Sequence, residues 1–589
     1  MNWEKLKKSW WWLVPALFSA LIYANSLRGG FFWDDRGLIL DNPLVKTWKG
    51  SFSTFMPDYW LRVHVGTKGQ YRPLRNLTLT ADYALWEDSP GGYHVTNYAL
   101  NIGVTVLSCV FAKEVLGTEL AAAAAGLLFA SHPAHAESVN YIKNRSDMLA
   151  LGLMLLAFIL FCRGRTLFSL VVYAVSLTAK EFSVALPFVM AAWVLLSGKE
   201  GGWRERAMRL WPYFALSGAF LLFKLTALRP PPELLFADPV AEGTNRLLLF
   251  LSTYAEYLWL IAAPFSFRVD RELHLLSSPL EWRVLGLAAA AAALFYLARR
   301  SPDRRRYAFA AFWLFFFIGP VSNILPIAGR LFAEQRAYIP SLGWALVLGL
   351  LVADFYSRPA YRKAAVAAAA AVVLVSGFSV MNRNVLWRSE ADMWRRAVAD
   401  NPSNLRALEN LGDSLLRAGR LQEAEKVYLV VAQKYPGGDE VYINLGVISQ
   451  AKGEIKAAIG WFEKALEVSP SNPEAYVNLG TMHMLSGDRG KARDYYLKAI
   501  DLRPDDPSAL TNLGIVLASE RRFREAASAF KRALAVKPDL IETRLNLAAV
   551  YREMGLDYEA GEELREAGLR KGSAGSVGFS QPVILRNKP

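Results

Sequence analysis

The chain has 589 residues, of which 53% are hydrophobic, and its mean hydropathy is +0.18. This length and composition exclude a single small soluble domain and favour a membrane protein with more than one domain. The formal charge of +14 falls in short basic clusters between apolar stretches, which argues against nucleic-acid binding, and two cysteines argue against a disulfide framework.

Apolar stretches dominate the first part of the chain. A helix needs about 20 apolar residues to cross the hydrocarbon of a bilayer. The stretches that approach this length lie at 10–27, 94–116, 119–131, 147–162, 166–180, 182–197, 209–228, 246–263, 282–298, 307–325, 339–356 and 362–380. Some of them are short, so we predict a membrane domain over residues 1–381 with about 11 to 13 helices.

Basic residues set the expected orientation of these helices. Lys5, Lys7 and Lys8 precede the first stretch, and no small-residue cleavage site follows it, so we predict a retained helix with a cytoplasmic basic end. The first loop, 28–92, is then extracytoplasmic. If the basic cluster at 358–363 is cytoplasmic, the last helix runs outward, and an odd number of crossings places everything after it outside.

Two adjacent acids, Asp34 and Asp35, follow Trp33 in the first loop. Adjacent carboxylates at a membrane surface can supply a general base, because proximity and partial burial raise the pKa of one of them. A solvated Asp-Asp turn is the alternative interpretation.

Further polar motifs fall on the same side of the membrane by the alternating count. They are Tyr71-Arg72-Pro73-Leu74, Gly92-Tyr93-His94, His132-Pro133-Ala134-His135-Ala136-Glu137, Asn144-Arg145-Ser146-Asp147, Lys180-Glu181 and Glu334-Gln335-Arg336-Ala337-Tyr338. Ionisable groups at membrane depth are costly, so their convergence indicates a site. Arg145, Lys180 and Arg336 are suited to bind an anionic phosphate.

The histidines and some of the basic residues have plainer alternatives. A metal at His132 and His135 needs further ligands, and only Glu137 is adjacent, so helix capping and hydrogen bonding are favoured over a metal site. Arg72 and His94 are equally compatible with anchoring at the membrane interface. Whether the protein's activity depends on a divalent metal stays open.

Beyond residue 381 the chain is charged and amphipathic and repeats every 34 positions. Prolines recur at Pro402, Pro436, Pro470, Pro504 and Pro538, and alanines at Ala424, Ala458, Ala492, Ala526 and Ala560. The pattern is that of the tetratricopeptide repeat (TPR), a pair of antiparallel helices per unit with a concave surface suited to a protein or peptide. We predict a linker at 382–401, five repeats over 402–570 and a disordered tail at 571–589.

The order of these motifs ahead of a TPR array resembles the transmembrane-and-TPR O-mannosyltransferases, the TMTC family, and their bacterial relatives in the GT-C class. The resemblance implies an all-α fold, with a polytopic transmembrane GT-C-like domain followed by a TPR α-solenoid. It implies a polyprenyl- or dolichyl-phosphate sugar as the donor substrate. Asp34 and Asp35 match the acidic pair of the family's first loop, and Glu137 matches the acid of its histidine-containing loop, so these three are implied as catalytic.

The resemblance also implies residues that bind the donor and its phosphate. The candidates are Arg72, His94, His132, His135, Arg145, Lys180, Glu334, Arg336 and Tyr338. Animal members have an arginine directly after the acid, whereas here Gln335 separates Glu334 from Arg336.

The resemblance leaves other properties of the protein open. Mannose is the sugar of some members, and neither sugar nor acceptor is specified by these residues. The protein is expected in the cytoplasmic membrane of a bacterium or the endoplasmic reticulum membrane of a eukaryote. A membrane-anchored TPR scaffold without enzymatic activity is the alternative function, and the large polar first loop argues against a transporter.

Overall fold

The computed structural model describes residues 9–57, 71–197, 202–227, 245–263, 268–271, 273–276, 281–323 and 331–568. Within these residues all regular secondary structure is helical, which confirms the predicted fold class. The chain divides into two compact units, Met1–Met393 and Trp394–Pro589.

The first unit contains long apolar helices joined by short helices and turns. Its helices are α1 (Trp10–Tyr23), α2 (Trp48–Ser53), α3 (Pro73–Trp86), α4 (Pro90–Leu116), α5 (Glu119–Ala130), α6 (His135–Asn140), α7 (Arg145–Cys162), α8 (Thr166–Leu177), α9 (Leu186–Ser197), α10 (Trp203–Ala227), α11 (Arg246–Ala262), α12 (Trp282–Arg300), α13 (Arg304–Ile318), α14 (Tyr338–Ser357) and α15 (Arg362–Leu386). A further helix, α16 (Glu390–Asp400), begins in the first unit and ends in the second.

Six helical segments among the described residues are long and apolar enough to cross a membrane. They are Pro90–Leu116, Ile142–Cys162, Arg204–Ala227, Trp282–Arg300, Glu334–Ser357 and Arg362–Leu386, and shorter apolar helices occupy Glu119–Ala130, Thr166–Leu177 and Glu181–Ser197. The protein therefore has multi-pass membrane helices. The total of about 11 to 13 crossings stays a prediction.

Small residues bring the central membrane helices close together. A Cβ on Gly349 of α14 would lie 2.6 Å from the carbonyl oxygen of Ala121 on α5, and one on Gly343 would lie 2.5 Å from the backbone nitrogen of Leu314 on α13. Without a hydrophobic drive in lipid, close backbone approach of this kind is what holds membrane helices together. It fixes the start of α14, which carries Tyr338, against α5 and the histidine loop.

The second unit is an array of five helix pairs. Its helices are α17 (Leu405–Arg417), α18 (Leu421–Lys434), α19 (Asp439–Ala451), α20 (Ile455–Val468), α21 (Pro473–Leu485), α22 (Arg489–Leu502), α23 (Pro507–Ser519), α24 (Phe523–Val536), α25 (Ile541–Glu553) and α26 (Asp557–Glu566).

Each of the first four pairs closes on a glycine that faces an aromatic ring, and Ala548 takes this position in the fifth. A Cβ on Gly446 would lie 2.4 Å from the Phe462 ring of the partner helix, so only glycine permits this approach. The predicted TPR array is confirmed. Residues 382–401, predicted as a linker, contain the end of α15 and the helix α16, and the predicted tail at 571–589 lies outside the described residues.

Candidate functional site

The two adjacent acids of the first loop occupy opposite environments. Trp33, directly before the pair, has a positive φ of 42°, an unfavourable conformation for a bulky residue. Asp35 is fully buried, and its carboxylate accepts the backbone N–H of Phe32 at 3.2 Å and that of Lys143 at 2.8 Å. Burial raises the pKa of Asp35 to about 7.

Asp34 faces the other way and is 39% exposed. Its Oδ2 accepts a hydrogen bond from the Tyr141 hydroxyl at 3.0 Å and forms an ion pair with the Lys143 ammonium. Burial disfavours the charged carboxylate, but the charge of Lys143 and its hydrogen bond outweigh burial, and the pKa of Asp34 is lowered. Asp34 is therefore the ionised, accessible member of the pair.

Aromatic rings back this loop. The Tyr141 ring stacks on Trp387 with centroids 6.0 Å apart, and Trp33 meets the Tyr141 ring edge-on at 5.4 Å. Phe32 also packs edge-on against Trp387, at 5.5 Å. Trp387, the residue directly after α15, thus packs against the side chains around Asp34.

Basic residues gather around the carboxylate of Glu181. Arg72 pairs with Glu181 at 3.3 Å, Lys224 pairs with the same carboxylate at 3.5 Å, and Lys180 pairs with Asp147. The structure therefore brings the predicted residues Arg72 and Lys180 to one place.

Electrostatic contacts connect this group to the first loop. Arg75 lies within electrostatic range of Asp34, and Arg72 lies within range of both Lys143 and Lys180. The first unit thus has Lys143 and Arg75 beside the accessible Asp34 carboxylate and a further group of cations around Glu181, an arrangement suited to an anionic ligand.

Arg145 and His94 contact other parts of the protein. Arg145 is fully buried, pairs with Asp82 at 2.6 Å and donates to Asn97 at 2.9 Å. The His94 Nε2 lies 3.1 Å from the carbonyl oxygen of Gly30, which ties α4 to the start of the first loop. The structure gives both predicted residues supporting contacts and does not bring them to the exposed side of Asp34.

Glu137 and the Glu334 stretch form a second charged group. Glu137 accepts the backbone N–H of Gln335 at 3.2 Å. Glu334 is buried, pairs with Arg383 of α15 at 2.6 Å and lies 3.8 Å from Arg271. The structure thus brings these two predicted acids together through one short segment of chain.

Arg336 and Tyr338 leave this segment in different directions. The Arg336 guanidinium donates to the carbonyl oxygen of Leu331 at 3.4 Å, and Tyr338 donates to Asn101 of α4 at 3.0 Å. Arg336 therefore stays beside the second charged group, whereas the Tyr338 hydroxyl is buried among the helices.

The two histidines of the His-Pro-x-His loop are held by hydrogen bonds. The His132 Nε2 lies 3.1 Å from the carbonyl oxygen of Ile261, and its Nδ1 accepts the backbone N–H of Ala134 at 3.3 Å, so Nε2 carries the proton. Burial lowers the pKa of His132 to about 4. His135 is buried with its Nε2 2.8 Å from the Ser341 hydroxyl. In the part of the chain that the structure describes, no three acidic, histidine or cysteine side chains are placed to hold a metal ion.

Sequence reasoning missed several residues of this site. Lys143, Tyr141 and Trp387 contact Asp34 or its supports, and Arg383 pairs with Glu334. A charged residue directly beside a membrane helix was a usable signal for Lys143 and Arg383. The two aromatic residues carry no comparable signal, because interfacial aromatics are common in membrane proteins.

Family models and solved structures match the part of the chain that contains the TPR array. Residues 442–568 match the model of the cilia and flagella-associated protein 70 middle TPR-like domain, and residues 391–439 match a tetratricopeptide repeat model. The crystal structure of MamA is 25% identical and covers 27% of this chain and 92% of its own, with a TM-score of 0.25. YrrB, a TPR protein, is 24% identical and covers 30% and 91%, with a TM-score of 0.25.

Curated relatives match across the two units. Protein O-mannosyl-transferase Tmtc1 of Drosophila melanogaster is 26% identical over 533 residues, 72% of this chain and 61% of that protein. Protein O-mannosyl-transferase TMTC4 of Homo sapiens is 26% identical over 485 residues, 71% of this chain and 66% of that protein. The alignments span between 61% and 66% of the length of these two relatives. The chain is a distant homologue of the TMTC protein O-mannosyl-transferases, with multi-pass membrane helices followed by a TPR array.

Proposed function

We propose that this protein is an integral membrane glycosyltransferase. It transfers a sugar from a polyprenyl- or dolichyl-phosphate donor to an extracytoplasmic protein or glycan acceptor. The observation that carries the proposal is the environment of Asp34, an ionised and accessible carboxylate held by Lys143 and Tyr141 beside a group of cations. The names of the relatives add support for the reaction class and suggest mannose as the sugar.

Asp34 is the general base in this proposal. It takes the proton of an acceptor hydroxyl while the hydroxyl oxygen attacks the anomeric carbon of the sugar. The bond between that carbon and the phosphate oxygen breaks, and the lipid phosphate leaves with both electrons. Asp35 is buried and receives two backbone N–H groups, so it shapes the loop and does not contact the acceptor.

The departing phosphate is stabilised by Arg72 and Lys180. Arg72 can give a phosphate two parallel hydrogen bonds. Lys180 adds a positive charge that is already in position, so the protein need not reorganise during the reaction. Their acidic partners, Glu181 and Asp147, hold both side chains in place before the donor binds. Arg336 lies beside the second charged group, and we propose that this group maintains the shape of the site.

The TPR array binds the acceptor or a partner protein. A surface built from repeated helix pairs is suited to an extended polypeptide. This role requires the array on the same side of the membrane as Asp34, and we propose that both are extracytoplasmic.

The test is transfer of radiolabelled sugar from polyprenyl-phosphate donors to membrane proteins. We expect incorporation with the natural chain and its loss in Asp34→Asn. Asp88→Asn is the matched control, because Asp88 lies in the same loop but is exposed and pairs only loosely with Lys46, at 3.7 Å. A folded, inserted protein that transfers sugar from none of the donors would overturn the proposal and favour the membrane-anchored scaffold.

A further inference from the structure

A groove lies between helices α12 and α13 of the first unit and has a volume of about 320 Å³. Its walls are mostly apolar and include Leu294, Phe295 and Phe315 together with four alanines. Arg299 of α12 and Arg304 of α13 also line it, beside the short turn that joins the two helices. We call this space the α12–α13 groove and its end at the two arginines the mouth.

Helix α12 packs loosely against the rest of the first unit. None of its described side chains is buried, although it is long and apolar enough to cross a membrane. A Cβ on Gly286 of α12 would meet no atom within 4 Å, whereas one on Gly343 or Gly349 would meet backbone atoms of a neighbouring helix. Membrane helices associate through close packing, and a gap forfeits those contacts. An apolar occupant of the groove would restore them.

The arginines at the mouth are not neutralised by carboxylates. In the part of the chain that the structure describes, neither Arg299 nor Arg304 forms an ion pair. Arg299 lies over the Phe295 ring, 5.8 Å from its centroid. Both side chains are exposed. Two guanidinium groups therefore face the mouth with donors to spare for an anion.

Nearby carboxylates are engaged by other groups. Asp303, in the turn itself, pairs with Arg306 at 2.6 Å. Asp354 of α14 accepts the Ser301 hydroxyl at 3.0 Å and the Tyr307 hydroxyl at 2.9 Å. The mouth thus keeps its positive charge, and an anion there meets no unpartnered acid among these residues.

Helix α4 separates the mouth from the site at Asp34. Near the start of α4, the His94 Nε2 lies 3.1 Å from the carbonyl oxygen of Gly30 in the first loop. At its other end, a Cβ on Gly117 would lie 2.6 Å from the guanidinium of Arg306, close to the mouth. The 27 residues of α4 span about 40 Å. A donor whose phosphate lies at Asp34 cannot also place that phosphate at the mouth.

The groove and its mouth together match an amphiphile with an anionic head. We propose that the α12–α13 groove binds a phospholipid of net negative charge, with one acyl chain along the groove and the phosphate between Arg299 and Arg304. Arginine binds phosphate through paired hydrogen bonds, and basic pockets between membrane helices select anionic headgroups. This binding site is separate from the proposed reaction and does not rest on it.

The length and position of the groove agree with a lipid of one leaflet. From Ala291 to Arg299 helix α12 rises about 12 Å. Half of the hydrocarbon core measures about 15 Å, so an acyl chain whose headgroup lies at the mouth runs beside this stretch. Basic clusters of this kind are expected on the cytoplasmic side, where anionic lipids are concentrated. The bound lipid supplies the contacts that α12 lacks, so its binding also stabilises the folded protein.

Binding of radiolabelled phosphatidylglycerol to the full chain in a neutral detergent tests the proposal. We expect saturable binding that unlabelled phosphatidylglycerol displaces. Phosphatidylcholine with the same acyl chains should compete at least about tenfold more weakly, because its headgroup has no net charge. Inorganic phosphate should not compete, since it leaves the apolar groove empty. The readout involves no sugar transfer, so its result is independent of the proposed function.

Two double variants separate the mouth from the general charge of the hairpin. Arg299→Gln with Arg304→Gln should weaken binding about tenfold or more, because both contacts to the phosphate lose their charge. Arg300→Gln with Arg305→Gln is the matched control, since it removes the same charge from neighbouring residues that do not line the groove. The control should bind within about threefold of the natural chain, because screening weakens charges that do not contact the lipid.

A third variant tests the apolar part of the groove. Ala308→Phe places a ring in the groove and should weaken binding about tenfold with the mouth intact, because the acyl chain loses its space. Ala292→Phe is its control, at an exposed position of α12 outside the groove, and should bind as the natural chain does. Melting curves without lipid show which variants are folded.

Four results would overturn the proposal. They are the absence of saturable binding, equal competition by phosphatidylcholine, displacement by inorganic phosphate, and equal losses in the two double variants. The third would show a site for free anions. The last would show that the charge of the whole hairpin attracts the lipid and that the groove does not bind it.

Discussion

Replacing Lys143 by methionine tests how the structure ionises Asp34. The Lys143 ammonium forms an ion pair with the Asp34 carboxylate, and both are partly shielded from solvent. Methionine keeps most of the side-chain volume and removes the charge. The pKa of Asp34 should therefore rise, and a general base with a higher pKa loses its activity first on the acidic side of the pH profile.

The size of this effect follows from the exposure of the pair. Two unit charges 4 Å apart attract by about 1 kcal/mol in water and by about 4 kcal/mol at an effective dielectric constant of 20. Asp34 is 39% exposed and Lys143 14% exposed. Solvent screening keeps the interaction near the lower figure, at about 1–2 kcal/mol. This corresponds to roughly tenfold less ionised Asp34 at acidic pH, since 1.4 kcal/mol is a factor of ten.

The assay is sugar transfer measured across a pH series at saturating donor. Lys143→Met should lower the transfer rate about tenfold on the acidic limb of the pH profile and much less on the alkaline plateau. Lys143→Arg should restore the rate at acidic pH. Lys113→Met is the matched control, since Lys113 pairs with Glu119 at 3.2 Å on a more exposed surface away from the first loop. An acidic limb that Lys143→Met leaves in place would refute the assignment of Asp34 as the base.

Four further changes, the last a control for the third, test the fold around the site and in the array. The Asp35 carboxyl has its pKa raised to about 7 in the folded protein, so the folded state binds more protons than the unfolded state between about pH 4 and 7, and the melting temperature falls as the pH rises through this range. Asp35→Asn removes this carboxyl and should make the fall smaller. Arg145→Met should cost about 3–5 kcal/mol, seen as a lower melting temperature, because it leaves Asp82 buried without its partner. Gly446→Ala should lower the stability of the array to urea by about 1–3 kcal/mol through overpacking. Gly460→Ala, which faces open space, should raise it by about 0.5–1 kcal/mol.

Each of these changes has an outcome that contradicts its reasoning. Equal pH dependence in Asp35→Asn and the natural chain would show that Asp35 is ionised at neutral pH without cost. An Arg145→Met protein as stable as the natural one would free Arg145 for a role in donor binding. Gly446→Ala and Gly460→Ala of equal stability would mean that the ring beside Gly446 moves aside freely.

Periodic and compositional features were predictable from the sequence. The apolar stretch predicted at 147–162 is a helix over Arg145–Cys162, and the 34-residue period predicts helix pairs of which Asp439–Ala451 and Ile455–Val468 are one. Such features depend on many residues that act in the same direction, so one misread position does not change them. The convergence of Arg72 and Lys180 was also predictable, because both lie on the same expected side of the membrane.

Pairing between side chains was not predictable in the same way. Arg145 belongs to the same motif as Asp147, yet Arg145 pairs with Asp82 of α3 and Asp147 pairs with Lys180. An arginine suited to phosphate is equally suited to a carboxylate, and only the packing of α3 and α4 against α7 decides between them. Helix α16 was missed within the predicted linker because its residues lie outside the 34-residue register.

The difference between Asp34 and Asp35 shows why a motif alone does not assign a base. In the sequence the two residues are neighbours of the same type, and any exchange of their roles leaves the motif intact. Their different environments accompany the positive φ of Trp33 and the contacts of Lys143, whose backbone N–H donates to Asp35 while its ammonium pairs with Asp34. A residue 108 positions from Asp35 thus contacts both acids, the buried one with a raised pKa and the partly exposed one with a lowered pKa. The catalytic assignment is therefore a property of the contact between the first loop and the start of α7, and a variant that shifts that contact should alter both acids at once.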